Sequence, residues 1–187
     1  MKTVVIDPGH SGPAEPGAVA DGVTEAEVNL VLAHLVAAGV EAACGGVKAV
    51  LTRTGDIDTD DIAFRAAMAS DCGAAAFLSI HCNAHTSPEA MGVETWHFPG
   101  SPAGAVLALA VHRRLVELRY TKDRGIKQSA ALYVLRATAC PAALVECGFL
   151  TSPADLAVLR RPAWQAKIAA AITAGILDYL QGTVVRI

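Results

Sequence analysis

Short apolar runs alternate with longer segments of helical periodicity along the chain. The apolar runs predict strands at residues 2–6, 48–52, 76–80, 93–98, 132–135 and 143–147. Apolar residues at helical spacing predict helices at residues 25–43, 60–71, 102–119 and 163–181. Strands that alternate with helices favour an α/β fold with a mostly parallel sheet and helices on both of its faces.

The same pattern predicts a single domain. No repeat, low-complexity tract or long linker interrupts the 187 residues, so one domain over residues 1–187 is expected. The most irregular segments lie at residues 11–23, 83–92 and 120–131. We predict that these segments are loops that contribute to a functional site.

Composition narrows the classes of protein that fit the chain. Hydrophobic residues make up 53% and charged residues 18%, as expected of a globular domain. The formal charge of −3 and the pI near 6.0 give no electrostatic support for a nucleic-acid partner. No apolar run approaches the roughly 18 residues of a membrane span, so no membrane insertion is expected.

The cysteines do not form a recognisable framework. Their number is odd and no CxxC pair is present, which argues against both a set of disulfides and a structural zinc knuckle. We predict that all five are reduced thiols: Cys44, Cys72, Cys82, Cys140 and Cys147.

The first long helix has a readable start. In "VTEAEV", Thr24 is predicted as the N-cap and Glu27 as its partner three residues later, which is the capping-box pattern. Glu27 therefore has a structural role. Glu25, at the first helical position, is free to point toward the segment that precedes the helix.

Three predicted strands end in a polar residue that their apolar runs do not explain. "VVIDPGH" ends at His10, "AFLSIHCNA" at His81 and "AALVECGF" at Glu146. Ligands of open α/β sheets bind beyond the carboxyl ends of the strands, so these side chains are expected at one edge of the sheet. Glu25 can reach the same edge after a short loop.

Two histidines and a glutamate are a recurrent ligand set for catalytic zinc. A further carboxylate that does not bind the metal is then needed for proton transfer, and Glu146 is the candidate. An apolar setting would raise the pKa of that carboxyl, which suits a general base. On spacing alone, four unrelated polar residues remain an equal alternative, because none of the gaps is a short metal motif.

Three motifs resemble the Amidase_3 type of zinc-dependent N-acetylmuramoyl-L-alanine amidases. The first is "IDPGHSG…PGAV" with "TEAEVNL", and the second is "VLTRTGD…FRAAMAS…FLSIHCNA". The third is "DRGIK…YVLRATACPAALVECGFLTSPAD". The resemblance extends from Val4 to about Tyr179 and implies a twisted sheet of about six strands.

The resemblance also implies a site and a reaction. His10, Glu25 and His81 would bind one Zn²⁺ per chain, and Glu146 would be the catalytic carboxylate. The substrate would be peptidoglycan, cleaved at the amide between the lactyl group of N-acetylmuramic acid and L-alanine. A zinc-bound water would attack, with Glu146 first as general base and then as general acid.

Two residues outside this set are predicted to contact the substrate. Asn83 follows the second histidine, and Lys127 in "RGIK" is suited to an acidic stem peptide. Residues 83–131 are too few for an inserted regulatory segment of the kind that some members of the family have, so an open groove is expected. A monomer is expected as well. The alternatives are a zinc peptidase or deacetylase that acts on another amide, and a non-catalytic wall-binding homologue.

Localisation is the least determined prediction. No signal-peptide pattern is present, because only Val4, Val5 and Ile6 separate Lys2 and Thr3 from Asp7. Met1 directly before the first strand favours a phage or prophage endolysin that accumulates in the cytoplasm and is released to the cell wall. If a leader has been removed, an extracellular or periplasmic protein is expected instead.

Overall fold

Residues 1–43, 46–56 and 61–184 are described in the computed structural model of the protein. The strands are β1 (Lys2–Pro8), β2 (Val19–Ala20), β3 (Val23–Thr24), β4 (Val47–Leu51), β5 (Ala76–Asn83), β6 (Val93–His97), β7 (Asp123–Gln128) and β8 (Ala142–Phe149). The helices are α1 (Glu25–Ala43), α2 (Ile62–Asp71), α3 (Pro102–Glu117), α4 (Tyr133–Ala137), α5 (Pro153–Leu159) and α6 (Pro162–Gln181).

Six strands form one sheet in the order β4-β1-β5-β8-β6-β7. All neighbours pair in parallel except β6 and β8, which are antiparallel. The predicted α/β fold with a mostly parallel six-stranded sheet is therefore confirmed. β2 and β3 form a separate short antiparallel pair in the segment between β1 and α1.

Successive side chains of the strands alternate between two different environments. On the core face, side chains such as Ile6, Leu78 and Val145 pack under α1, α3, α5 and α6 in a large apolar cluster. The polar face, on the other side, has a smaller apolar cluster under α2 and α4. It also carries six polar side chains toward the carboxyl end of β5: Asp7, Ser79, His81, Asn83, Glu94 and Glu146.

The segment from residue 120 to residue 137 differs from the prediction. The prediction of a strand at residues 132–135 is wrong. Leu132 is the N-cap of α4 and the next three residues lie in that helix, where Val134 and Leu135 are buried against the polar face. The sheet's edge strand is instead β7, inside the predicted loop 120–131. An edge strand has one sheet neighbour and borders solvent, so "DRGIKQ" lacks the apolar run that marks the inner strands.

Two other predictions touch residues outside the described part. α2 begins at Ile62 with the Asp61 carboxylate accepting bonds from the first turn, whereas Asp60 of the predicted helix lies outside the described residues. Cys44 also lies outside them. The four described cysteines are free: Cys72, Cys82, Cys140 and Cys147.

Helix α1 is long and apolar enough to meet the criteria for a membrane span by length and composition. Its mean hydropathy over an 18-residue window is 1.4. Much of that apolar character has a packing explanation here, because Leu32, Val36 and Val40 are fully buried in the large apolar cluster.

Candidate active site

Different elements supply the three predicted metal ligands. His10 lies just beyond β1 and Glu25 is the first residue of α1, as expected. His81 and Glu146 lie within strands rather than at their ends, because β5 continues to Asn83 and β8 to Phe149. These two side chains therefore project from the polar face of the sheet, near its edge.

The backbone at His10 has an uncommon conformation that its surroundings hold in place. Its φ of 62° lies in the left-handed region, which costs free energy for a residue with a Cβ atom. The Arg65 guanidinium donates to the carbonyl oxygen of His10 at 2.6 Å and to that of Pro8 at 2.7 Å. Arg53 donates to the carbonyl of Gly9 at 3.1 Å, so both buried arginines fix this loop.

Asp7 anchors Arg65 beneath that loop. Its carboxylate is 1% exposed and accepts from Arg65 Nη1 at 2.8 Å, Thr52 Oγ1 at 2.6 Å and Ser79 Oγ at 2.6 Å. A buried charge needs such partners because it has lost its hydration. The result is a rigid support for His10 made of side chains from β1, β5 and α2.

Two glycines are required by the close approach of the ligand side chains. A Cβ atom on Gly9 would lie 2.2 Å from Cε1 of His81. On Gly17, whose φ is 67°, it would lie 2.5 Å from Oε2 of Glu25 and 2.6 Å from Cδ2 of His10. Any larger residue at these positions would displace a ligand side chain.

The Glu25 carboxylate connects the two histidines. Its Oε1 lies 3.0 Å from Nδ1 of His81 and its Oε2 lies 3.2 Å from Nε2 of His10. Backbone N–H groups donate to both oxygens at 3.0 Å, from Cys82 to Oε1 and from Ala18 to Oε2. These bonds set the direction of the carboxylate independently of the histidines.

The predicted capping box explains why Glu25 is free for this role. Thr24 N donates to Oε2 of Glu27 at 3.0 Å, and Glu27 N donates to Oγ1 of Thr24 at 3.2 Å. Glu27 thus satisfies the helix start, as its spacing predicted. Glu25 turns back from the first turn of α1 toward His10 and His81.

The pKa values of Glu25 and His81 are shifted in opposite directions. Burial raises the pKa of Glu25, but its hydrogen bonds with His10 and His81 are stronger in effect and leave the pKa well below its usual range. Burial lowers the pKa of His81, yet the hydrogen bond with Glu25 and the negative charges of Glu146, Glu25 and Asp7 together raise it above its usual value. Protons and a metal ion would therefore compete for the same nitrogen atoms.

The three side chains satisfy the simplest test of a metal site. One ligand atom from each of His10, Glu25 and His81 lies within 4.8 Å of the other two. Two imidazole nitrogens and a carboxylate oxygen are ligand types that zinc prefers. The donor set therefore fits a catalytic divalent metal that retains an open position.

Glu146 lies next to this cluster. It pairs directly with His81 across the β5–β8 ladder. Burial is the main cause that raises the pKa of Glu146 to about 7. Its Oε2 is buried without a hydrogen-bond partner among the described residues, which is rare for a carboxylate unless function requires it.

Asn83 and Lys127 both donate hydrogen bonds to Glu94, a residue that the sequence analysis did not select. Asn83 Nδ2 donates to Oε1 of Glu94 at 3.1 Å, and Lys127 Nζ donates to Oε2 at 2.5 Å. Glu94 lies on β6 opposite Glu146 and is 2% exposed. A charged residue inside "GVETWHF", otherwise an apolar strand, was the available signal for it.

A recess of about 130 Å³ opens beside the two histidines. His10 and His81 line it together with the apolar side chains of Ile62, Leu132 and Tyr133. Ile62 is 43% exposed, and it leaves an apolar rim next to polar chemistry. Such a recess is typical of a site that accepts a substrate of mixed polarity.

A His–Glu–His cluster beside a carboxylate of raised pKa is the set of groups found in a metal-dependent hydrolase. Comparison with known proteins places the chain more narrowly. Residues 4–178 match the Amidase_3 family, described as N-acetylmuramoyl-L-alanine amidase. The protein belongs to this family.

Individual relatives agree with the family. The chain is 36% identical over 180 residues to the N-acetylmuramoyl-L-alanine amidase LytC of Bacillus subtilis (strain 168), with 95% of this chain and 35% of the relative covered. It therefore spans about a third of the length of that relative.

Two solved structures are similar over almost their whole length. The amidase AmiC2 of Nostoc punctiforme has a TM-score of 0.88 and 37% identity, with 96% of this chain and 97% of that chain covered. The catalytic domain of the amidase CwlV from Bacillus (Paenibacillus) polymyxa has a TM-score of 0.90 and 32% identity, with coverages of 97% and 99%.

Proposed function

We propose that the protein is a zinc-dependent N-acetylmuramoyl-L-alanine amidase that hydrolyses the amide between the lactyl group of N-acetylmuramic acid and L-alanine in peptidoglycan. The observation that carries this proposal is the pairing of Glu146 with His81 at the edge of the polar face. Family membership supports the choice of bond.

His10, Glu25 and His81 would hold one zinc ion per chain. Bound there, the ion would polarise the amide carbonyl and make a neighbouring water more acidic. The backbone bonds to Glu25 and the arginine bonds to the His10 loop keep the ligands in place before the substrate arrives. This pre-organisation reduces the rearrangement required during the reaction.

Glu146 would transfer the proton. With its pKa raised to about 7, its carboxyl can accept a proton from the attacking water and later donate one to the leaving nitrogen of L-alanine. The Oε2 atom has no hydrogen-bond partner among the described residues, so neither transfer would have to break an existing bond there.

Asn83 and Lys127 would orient the substrate beside Glu146. Both are half-buried and both are held by Glu94, so their side chains have defined directions. The apolar recess on the other side of the two histidines would receive a less polar part of the substrate.

Mass analysis of digested peptidoglycan tests the proposal directly. The expected products are free stem peptides that begin with L-alanine and glycan strands with intact lactyl groups. New reducing sugar ends would indicate a glycosidase, and cleavage within the stem would favour a zinc peptidase. A protein that binds the wall without releasing products would be a non-catalytic homologue.

Metal analysis of the purified protein is the second test. About one zinc per chain is expected, and chelation should abolish activity while the fold remains, because the apolar core buries most of the surface independently of metal. Full activity of metal-free protein would contradict the ligand assignment.

A further inference from the structure

Glu94 is a buried carboxylate next to the half-buried Glu146. The two residues are direct partners in the antiparallel β6–β8 ladder, so their side chains project from the same face on neighbouring strands. Like charges in such a pair repel each other. Glu94 is nevertheless 2% exposed and ionised. Burial raises its pKa, but the hydrogen bonds and positive charges of Lys127 and Arg124 have the larger combined effect and leave the pKa below its usual value.

Four side chains donate to Glu94. Its Oε1 accepts from Asn83 Nδ2 at 3.1 Å and from Trp96 Nε1 at 3.2 Å. Its Oε2 accepts from Arg124 Nε at 2.7 Å and from Lys127 Nζ at 2.5 Å. One oxygen thus binds neutral groups, and the other binds both cations of the edge strand β7.

Aromatic rings complete the support for the two cations. Lys127 Nζ lies 5.1 Å from the ring centroid of Trp96, and Arg124 Cζ lies 4.9 Å from that of Phe149. The side chains of Arg124 and Lys127 are 31% and 32% exposed. Each cation has more N–H donors than its bond to Glu94 uses, and each reaches solvent.

The charges of this cluster do not cancel. Two cations and the Glu94 carboxylate leave one positive charge on the Arg124–Lys127–Glu94 group. A net positive group at the rim of the site favours an anionic part of the substrate.

We propose that Glu94 is a positioning residue that holds Arg124 and Lys127 as a receptor for a carboxylate of the substrate's peptide. This inference rests on the proposed function. The planar guanidinium and the ammonium group provide charge-assisted hydrogen bonds, which a carboxylate accepts more strongly than a carboxamide. The subsite therefore selects an acidic stem peptide over one in which that carboxylate is amidated.

Two matched substrates test the inference. The first is an N-acetylmuramoyl-L-alanyl peptide whose second residue carries a free carboxylate, and the second is the same peptide with that group as a carboxamide. Wild-type protein should cleave both at the muramoyl–alanine amide, with a KM at least about tenfold lower for the carboxylate and a similar kcat.

The variants then locate the cause. Lys127→Met keeps an apolar stem against Trp96 but removes the charge, and it should raise KM for the carboxylate substrate about tenfold and KM for the carboxamide substrate by much less. Glu94→Gln should reduce the discrimination similarly, because the amide carries no charge and, with its oxygen toward the two cations, turns its NH2 group against the Asn83 and Trp96 donors. Lys127→Arg should preserve most of the discrimination.

Lys167→Met is the matched control. Lys167 also lies over a tryptophan ring, with Nζ 4.6 Å from the centroid of Trp164, but on α6. Lys167→Met should change KM for neither substrate. Unfolding of the Glu94 variant would leave the decision to Lys127→Met. Equal KM values for the two substrates in the wild type would overturn this inference alone, and so would an equal loss on both substrates in Lys127→Met. If the wild-type protein cleaves neither substrate, the proposed function is overturned as well.

Discussion

On the core face of the sheet, α1, α3 and α6 contribute helices of 19, 16 and 20 residues to the packing. On the polar face, α2 and α4 have only 10 and 5 residues and leave the carboxyl end of β5 uncovered. The same strands supply both faces, residue by residue. Most of the apolar packing therefore lies on one side of the sheet, and the candidate active-site residues lie on the other.

The carboxylates of the polar face also differ from one another in their hydrogen bonds. On the polar face, Asp7 and Glu94 are fully engaged by hydrogen bonds, whereas Glu146 keeps an unpartnered oxygen. Glu94 and Glu146 differ in their partners, and their pKa values shift in opposite directions, downward for Glu94 and upward for Glu146. The comparison separates groups that build the site from the one we assign to proton transfer.

Glu146→Gln should have the largest effect and should be confined to the polar face. The amide keeps the size of the side chain but cannot transfer the proton, so kcat should fall at least about 100-fold. Zinc content should stay near that of the wild type, as measured by elemental analysis of the purified variant, and the fold should be retained.

Glu25→Gln is the companion variant. The loss of a ligand weakens zinc binding, so added zinc should partly restore its activity. If Glu146→Gln loses zinc while Glu25→Gln retains it, the two carboxylates have exchanged the roles assigned to them.

Leu32→Ala tests the core face. Leu32 is fully buried on α1, and its truncation should lower the free energy of unfolding by about 2–5 kcal/mol, as measured by denaturant titration. The zinc affinity of the folded protein should not change. Leu35→Ala, on the same helix at 40% exposure, should cost less than about 1 kcal/mol. Equal costs for the two would contradict the assignment of the core.

Gly9→Ala tests the close approach behind His81. The added methyl group cannot fit at 2.2 Å from the ring, so the ring must move and zinc affinity should fall about 10- to 100-fold. Competition with a chromogenic chelator measures this. Gly55→Ala, where a Cβ meets nothing within 4 Å, should leave the affinity unchanged. An unaltered affinity in Gly9→Ala would show that the loop can adjust.

A pH titration of stability gives the smallest expected effect. The folded-state pKa of Glu146 is raised from 4.5 to about 7, so the metal-free folded protein binds more protons than the unfolded chain between these values. Stability from this group is therefore present at low pH and is lost as pH rises through that window. Relative to wild type, metal-free Glu146→Gln should gain about 1–3 kcal/mol between pH 4.5 and pH 8. A pH-independent difference between the two would indicate that Glu146 is not buried as described.

Sequence reasoning selected His10, His81 and Glu146 because each follows or interrupts an apolar run, and Glu25 because the capping box left it without a structural role. A resemblance then connected the four. Sequence reasoning missed β7 and Glu94 for a common physical reason. The polar residues of an edge strand resemble a loop until its partner is known. Glu94 gains its meaning from Arg124 and Lys127, about thirty residues later, which only the β6–β7 pairing brings to it.

The strand order has a consequence for the order in which the chain is synthesised. β8 is the last strand made, yet it lies between β5 and β6. His10, Glu25 and His81 all precede residue 90 in the sequence, whereas Glu146 is added only with β8, which inserts between two strands made earlier. Insertion into the middle of a sheet requires long-range pairing, which is slow. A nascent chain therefore contains His10, Glu25 and His81, the proposed metal ligands, before it contains Glu146, so the proposed proton-transfer group is the last of the four to join the site.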